Sequence, residues 1–172
     1  MRDPAMAARL RYLAIALVVL VADQLTKWWT VSALALCSGP RQTCERYEVL
    51  PFFDFIYVRN PGAAFSFLAD HSGWQRWFFA AIAIAVSVVL LRWLWRTAQS
   101  QPLPSWGCAL ILGGAIGNLI DRLWHGYVID FADFFIGNWH YPAFNIADSG
   151  ICIGAGLLIL DSLLAGRRAK ES

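Results

Sequence analysis

The sequence predicts an all-α membrane protein built as a bundle of four transmembrane helices. Three observations predict it. Of the 172 residues, 58% are hydrophobic and 15% are charged, whereas a soluble domain has roughly 45–50% apolar and about 25% charged residues. The excess is gathered into four long apolar blocks, which is how membrane spans look. Lysine and arginine recur beside the same ends of those blocks, as they do on the cytoplasmic side of a membrane. The net charge of +2 is too small to favour nucleic acid as a partner.

The chain, 1–172, reads as a single membrane domain with spans at about 8–30, 75–96, 104–124 and 144–165, each long enough to cross the hydrocarbon core. Outer loops occupy about 31–74 and 125–143. The first span is interrupted by Asp23, Gln24 and Lys27. The second is free of charge from Trp77 to Leu91 and ends in Arg92 and Arg96. Pro102 and Pro104 suit the first turn of the third helix but not its middle. Arg167, Arg168 and Lys170 follow the fourth. Arg2, Arg9 and Arg11 before span one, the 92–96 arginines and the basic tail all fall on one side under a four-span count. Both termini are therefore expected in the cytoplasm. A cleaved signal peptide is the competing reading of the first block. That block continues through Trp28, Trp29 and Val31 without a small-x-small cleavage site, and its loss would leave three spans.

The segment EVLPFFDFIYVRNPGAAFSFL at 48–68 is rich in aromatic and β-branched residues, with Asn60-Pro61-Gly62 as a turn signal. It predicts two short strands joined near 59–63. Trp28, Trp29, Trp74, Trp77, Trp106 and Trp124 fit aromatic belts at the two membrane interfaces. Of the four cysteines, Cys108 and Cys152 fall in apolar blocks, while Cys37 and Cys44 flank a Gly-Pro turn. An oxidising compartment would allow a 37–44 disulfide; otherwise they are two free thiols. No CxxC or Cys/His ligand spacing occurs, so no metal is expected.

Ionisable groups within spans cost roughly 2.5–3.5 kcal/mol each on insertion scales, so they mark paired contacts or function. Asp23 and Lys27 share a helix face four residues apart, and a structural pair is the default reading. Asn118 and Arg122 share a face on the outer part of span three, and Asp121 points about 100° away from Arg122. Asp161 reads as interfacial. Asp130, in VIDFADF, and Asp148, in FNIADSG beside Asn145, fall at the same outer boundary. Two carboxyls in contact share a proton, so one can activate water while the other binds a scissile carbonyl. Spacing alone leaves Asp133 as a competitor for Asp130. It also leaves a proton-coupled transporter, relaying protons through Asp23, Asp130 and Asp148, and a purely structural scaffold as alternatives.

Five ordered motifs go further: ADQLTK at 22–27, RNPGAAFSF at 59–67, GGAIGNLIDR at 113–122, VIDF at 128–131 and FNIADS at 144–149. In these the chain resembles the lipoprotein signal peptidases, the signal peptidase II family of aspartic peptidases. The resemblance implies a four-helix bundle with a small periplasmic β-cradle and a short, mobile periplasmic helix over the site. It implies a multi-pass enzyme of the bacterial inner membrane, with its active site toward the periplasmic face. The expected reaction cleaves diacylglyceryl-modified prolipoproteins before the lipidated cysteine, among membrane lipids, without cofactor or metal, and is blocked by globomycin. Carried over by motif, Asp130 and Asp148 are the catalytic dyad. Asn60, Gly62, Asn118, Arg122 and Asn145 line the site, while Asp23 and Asp121 support structure or substrate handling. The loop holding Cys37 and Cys44 matches none of these motifs.

Overall fold

A computed structural model describes residues 3–62 and 73–171. Four of its helices are long and apolar enough to cross a membrane. Helix α1 (Pro4–Ala33) starts where the Asp3 carboxylate accepts the Ala5 N–H at 2.9 Å and Pro4 supplies a pre-formed first turn. Helix α2 spans Trp74–Thr97 and α3 spans Pro102–Trp124, with its prolines in the first turn as expected. Helix α4 spans Ile146–Glu171 and begins two residues later than the span read from hydropathy. Phe144 there is bridged to Ala132 and so belongs to the sheet rather than the helix.

Helix α3 is the centre of the bundle. Its most apolar window is 67% buried, against 11% for α1 and α4, whose outer faces display Leu17, Val18, Ile159 and Leu163. Lipid solvates such faces as well as protein does, so close packing of small residues holds the bundle together. Gly107 and Gly154 show this. A Cβ added to Gly107 would lie 2.8 Å from the Gly154 carbonyl, and one on Gly154 would lie 2.6 Å from the Gly107 carbonyl.

The small sheet that the family resemblance implies is present beside the four helices. One end of the bundle carries a four-stranded antiparallel sheet of order β1-β2-β3-β4 (Tyr47–Leu50, Phe53–Asn60, Val128–Ile136, Trp139–His140). The stretch before 59–63, expected as one strand, forms two, because the chain already reverses at Pro51–Phe52. Asn60-Pro61-Gly62 ends β2, and the strand expected after it lies outside the described residues. Strand β3 runs through VIDFADFFI, which hydropathy placed in a plain loop. Its hairpin with β4 turns at Gly137, whose φ of 58° is left-handed and suits glycine. Among the described loop residues, the only helical element is the 3-10 turn Arg41–Thr43. Cys37 and Cys44 are joined in a disulfide.

Candidate active site

Strand β3 and the start of α4 bring Asp130 and Asp148 to one cavity of about 560 Å³. Asp148 lies in the first turn of α4, where its place is set by a reciprocal cap. The Asn145 side chain accepts the Asp148 N–H at 2.9 Å, and the Asp148 carboxylate accepts the Asn145 N–H at 3.2 Å. Asn145 also reaches the other aspartate, its Nδ2 donating to Asp130 Oδ1 at 2.8 Å. One buried asparagine therefore bridges both carboxyls. Asp130 is 2% exposed and its second oxygen accepts Asn60 Nδ2 at 3.0 Å. The Gly62 N–H holds the Asn60 amide in that orientation by donating to its Oδ1 at 3.1 Å. Burial, reinforced by the charge of Asp148, pushes the Asp130 carboxyl up to about 7, against the pull of Asn60, Lys27 and Asn145.

Asn118 donates to Asp148 Oδ1 at 2.7 Å. Arg122, one turn further along α3, donates to the Asn118 carbonyl at 3.2 Å and to the Gly62 carbonyl at 3.4 Å. Asn60, Gly62, Asn118 and Arg122 thus line the cavity together with the two aspartates. Asp23 and Asp121 do not. They lie behind it and join Lys27, which hydropathy alone read as half of a structural pair. The ammonium contacts Asp23 at 2.7 Å, Asp121 at 2.9 Å and Asn118 Oδ1 at 2.9 Å. All three of its donors are used in a place 2% exposed. The two carboxylates also grip the backbone on which the cavity's aspartates stand. Asp23 accepts the N–H of Ala147, the residue before Asp148, at 2.9 Å. Asp121 accepts the N–H of Ile129, the residue before Asp130, at 3.0 Å.

Asp133 faces away from the cavity. A strand alternates its faces, and three residues separate Asp133 from Asp130. Its oxygens are taken by Arg41 Nη1 and His140 Nδ1, both at 2.8 Å. Sequence reasoning missed Lys27 as a support of the site, though its i, i+4 spacing from Asp23 was visible. It missed Gln24, which donates to Asp23, Asp121 and the Gly117 carbonyl, and Arg41, which lines the cavity from a loop with no local signal. Chemically, the centre offers two carboxyls in a partly enclosed cavity, one of which holds a proton near neutral pH. That is the equipment for acid–base activation of water.

Comparison with known proteins adds four findings. A family model described as signal peptidase (SPase) II matches residues 15–164. The chain is 50% identical over 173 residues to a lipoprotein signal peptidase of Serratia proteamaculans, covering 99% of this chain and 98% of that one. It is 51% identical over 167 residues to a lipoprotein signal peptidase of Shewanella pealeana, covering 95% and 92%. Among solved structures, a bacterial membrane enzyme determined by the in meso method at 2.3 Å superposes with a TM-score of 0.81 at 33% identity, covering 94% of this chain and 93% of that one.

Proposed function

The chain belongs to the signal peptidase II family, a family of proteases that process lipoproteins, and on that premise we propose that it is an intramembrane aspartic endopeptidase with Asp130 and Asp148 as its dyad. The protein removes signal peptides from prolipoproteins; the cut falls before a diacylglyceryl-modified cysteine. The observation that carries the reading is the Asn145 bridge between two carboxyls at one end of the bundle.

In this mechanism Asp148, placed at a helix N-terminus that favours negative charge, is the ionised member. It takes a proton from water as the water oxygen bonds to the scissile carbonyl carbon. Asp130, carrying the shared proton, donates it to the developing oxyanion. As the tetrahedral intermediate collapses, one of its hydroxyls returns a proton to Asp130, the carbon–nitrogen bond breaks, and the proton held by Asp148 leaves with the amine. Arg122 and Asn118 hold the carboxylate side of the cavity, and Asn60 holds Asp130. Asp23 and Asp121 act from behind through Ala147 and Ile129.

The whole chain is one membrane domain of the bacterial inner membrane. Its termini and the α2–α3 connection are cytoplasmic, while the sheet, a short helix over the site and the cavity mouth are periplasmic. Charge placement supports this orientation, and so does the disulfide at 37–44, which fits an oxidising compartment. Globomycin is expected to occupy the cavity and block turnover. Cleavage of a lipid-modified precursor by purified protein, read as a gel shift, tests the reading. Asp130→Asn and Asp148→Asn should each lower the rate by at least about 100-fold while the protein still accumulates in membranes. Full activity of either variant, or proton flux in proteoliposomes without proteolysis, refutes it.

A further inference from the structure

We infer that the loop closed by the Cys37–Cys44 bond is a counter-ion clamp on the sheet that carries Asp130, that Arg41 within it is a positioning residue for the bound polypeptide, and that tight substrate binding requires the disulfide. This deepens the peptidase reading and rests on it.

The argument starts from the β2–β3 register, which sets Asp54 directly opposite Asp133. Directly opposed side chains share one face of a sheet, and like charges there repel. Both are almost completely buried, at 2% and 0% exposure. The loop and the residues just after it supply a guanidinium to each. Arg41 Nη1 lies 2.8 Å from Asp133 Oδ1, and Arg46 Nη1 lies 3.3 Å from Asp54 Oδ2. Arg46 Nη2 also donates to the Arg41 carbonyl at 2.8 Å, so the two are coupled.

The disulfide encloses Arg41. The bridged cysteines are seven residues apart with Cα atoms 5.1 Å apart. At one end the Cys37 N–H donates to the Tyr57 carbonyl of β2 at 2.8 Å. In the middle Gln42 Nε2 reaches the Asn138 carbonyl at the β3–β4 turn, at 3.2 Å. A covalent closure of this kind removes conformations in which Arg41 swings off the sheet. Reduction would break the sulfur–sulfur bond, give two thiols and turn one added dithiol into its own disulfide.

Arg41 also faces the cavity. Its Nη1 donates to the Tyr141 carbonyl at 3.2 Å, and Arg41 and Tyr141 form part of the same wall as Asp130 and Asp148. Both of its bonds use Nη1; its Nη2 and Nε make none among the described residues. With 27% of the side chain exposed, those donors suit carbonyl or carboxylate oxygens of a polypeptide lying in the cavity.

The test measures steady-state cleavage of a lipid-modified precursor by the full-length protein in detergent, before and after dithiothreitol, with free thiols counted by maleimide mass shift. Reduction, Cys37→Ser with Cys44→Ser, and Arg41→Gln should each raise KM about ten-fold, the scale of one lost charge-assisted hydrogen bond, with little change in kcat. Dithiothreitol should have no further effect on the double-serine variant. Arg41→Gln combined with Asp133→Asn removes both charges of the pair. If Arg41 only balances Asp133, this variant regains the parent KM and the positioning role is overturned; if Arg41 also holds substrate, KM stays raised. An unchanged KM with both thiols demonstrably free overturns the inference. Hydrogen exchange of the β3 amides gives a second readout, faster on reduction if the clamp is real and unchanged if it is not. Should no preparation cleave, the peptidase reading falls, while exchange still decides the clamp.

Discussion

The Asp130 carboxyl is where burial has its clearest chemical consequence. A group raised to about 7 from an ordinary value of 3.8 binds its proton more tightly in the folded protein than in the unfolded one. Between those two values the folded state carries more protons, so stability falls as pH rises through that window. Asp130→Asn should therefore melt higher than the parent at pH 8, with the gap closing toward pH 4 in a thermal unfolding series. The proposed acid role has the same sign for rate. Activity needs Asp130 protonated, so kcat should decline as pH rises through about 7. A flat profile from pH 6 to 9 would remove Asp130 from the acid role. Lys27 makes a different case, since its charge is enclosed by Asp23, Asp121 and Asn118. Replacing it with methionine strands two buried carboxylates, a loss of about 3–5 kcal/mol. Lys27→Met should accordingly lower the melting temperature and the yield of folded protein. Combination with Asp23→Asn and Asp121→Asn should restore much of the loss.

Helices and strands divide the work of holding the site. The α3–α4 contact is set by backbone approach at Gly107 and Gly154, so Gly154→Val must push the helices apart or distort them. Overpacking of this kind costs about 1–3 kcal/mol. Because Asp148 sits at the head of α4 and Asn118 on α3, the same variant should weaken cleavage as well as lower the melting point. A variant that packs normally and cleaves at the parent rate would show that α3–α4 spacing does not govern the Asn118–Asp148 contact. The sheet is the element that hydropathy handled least well. Strand β3 mixes two aspartates into an aromatic run, and most of its residues are buried on both faces, so it lacks the alternation that marks a half-exposed strand. It is a strand because β2 and Phe144 pair with it, and those partners are remote in the chain.

At the scale of the whole molecule, the proposed orientation makes a direct prediction. In a background with Cys152 replaced by serine, Asn138→Cys at the β3–β4 turn should react with a membrane-impermeant maleimide in cells with a permeabilised outer membrane. Ser100→Cys, between α2 and α3, should react only after the inner membrane is opened. The reverse pattern would invert the topology and place the cavity on the cytoplasmic side.

Local patterns carried much of this description. Sustained hydropathy produces membrane helices because every backbone group in lipid must bond within its own segment, so four apolar helices followed from the sequence. Charge placement supplied the proposed orientation, and the ordered motifs supplied the family and the two aspartates of the proposed dyad. Other features depend on contacts between segments far apart in the chain. Folding decided that Asn145 touches both carboxyls, and that Lys27 ties Asp23 to Asp121 behind them. It turned Asp133 to the opposite face of β3, where Arg41 meets it. A residue's type and spacing limit which partners it can accept, but a buried charge takes its partner from whichever segment the fold brings within reach. For Asp130 and Asp148 that segment is the turn into α4.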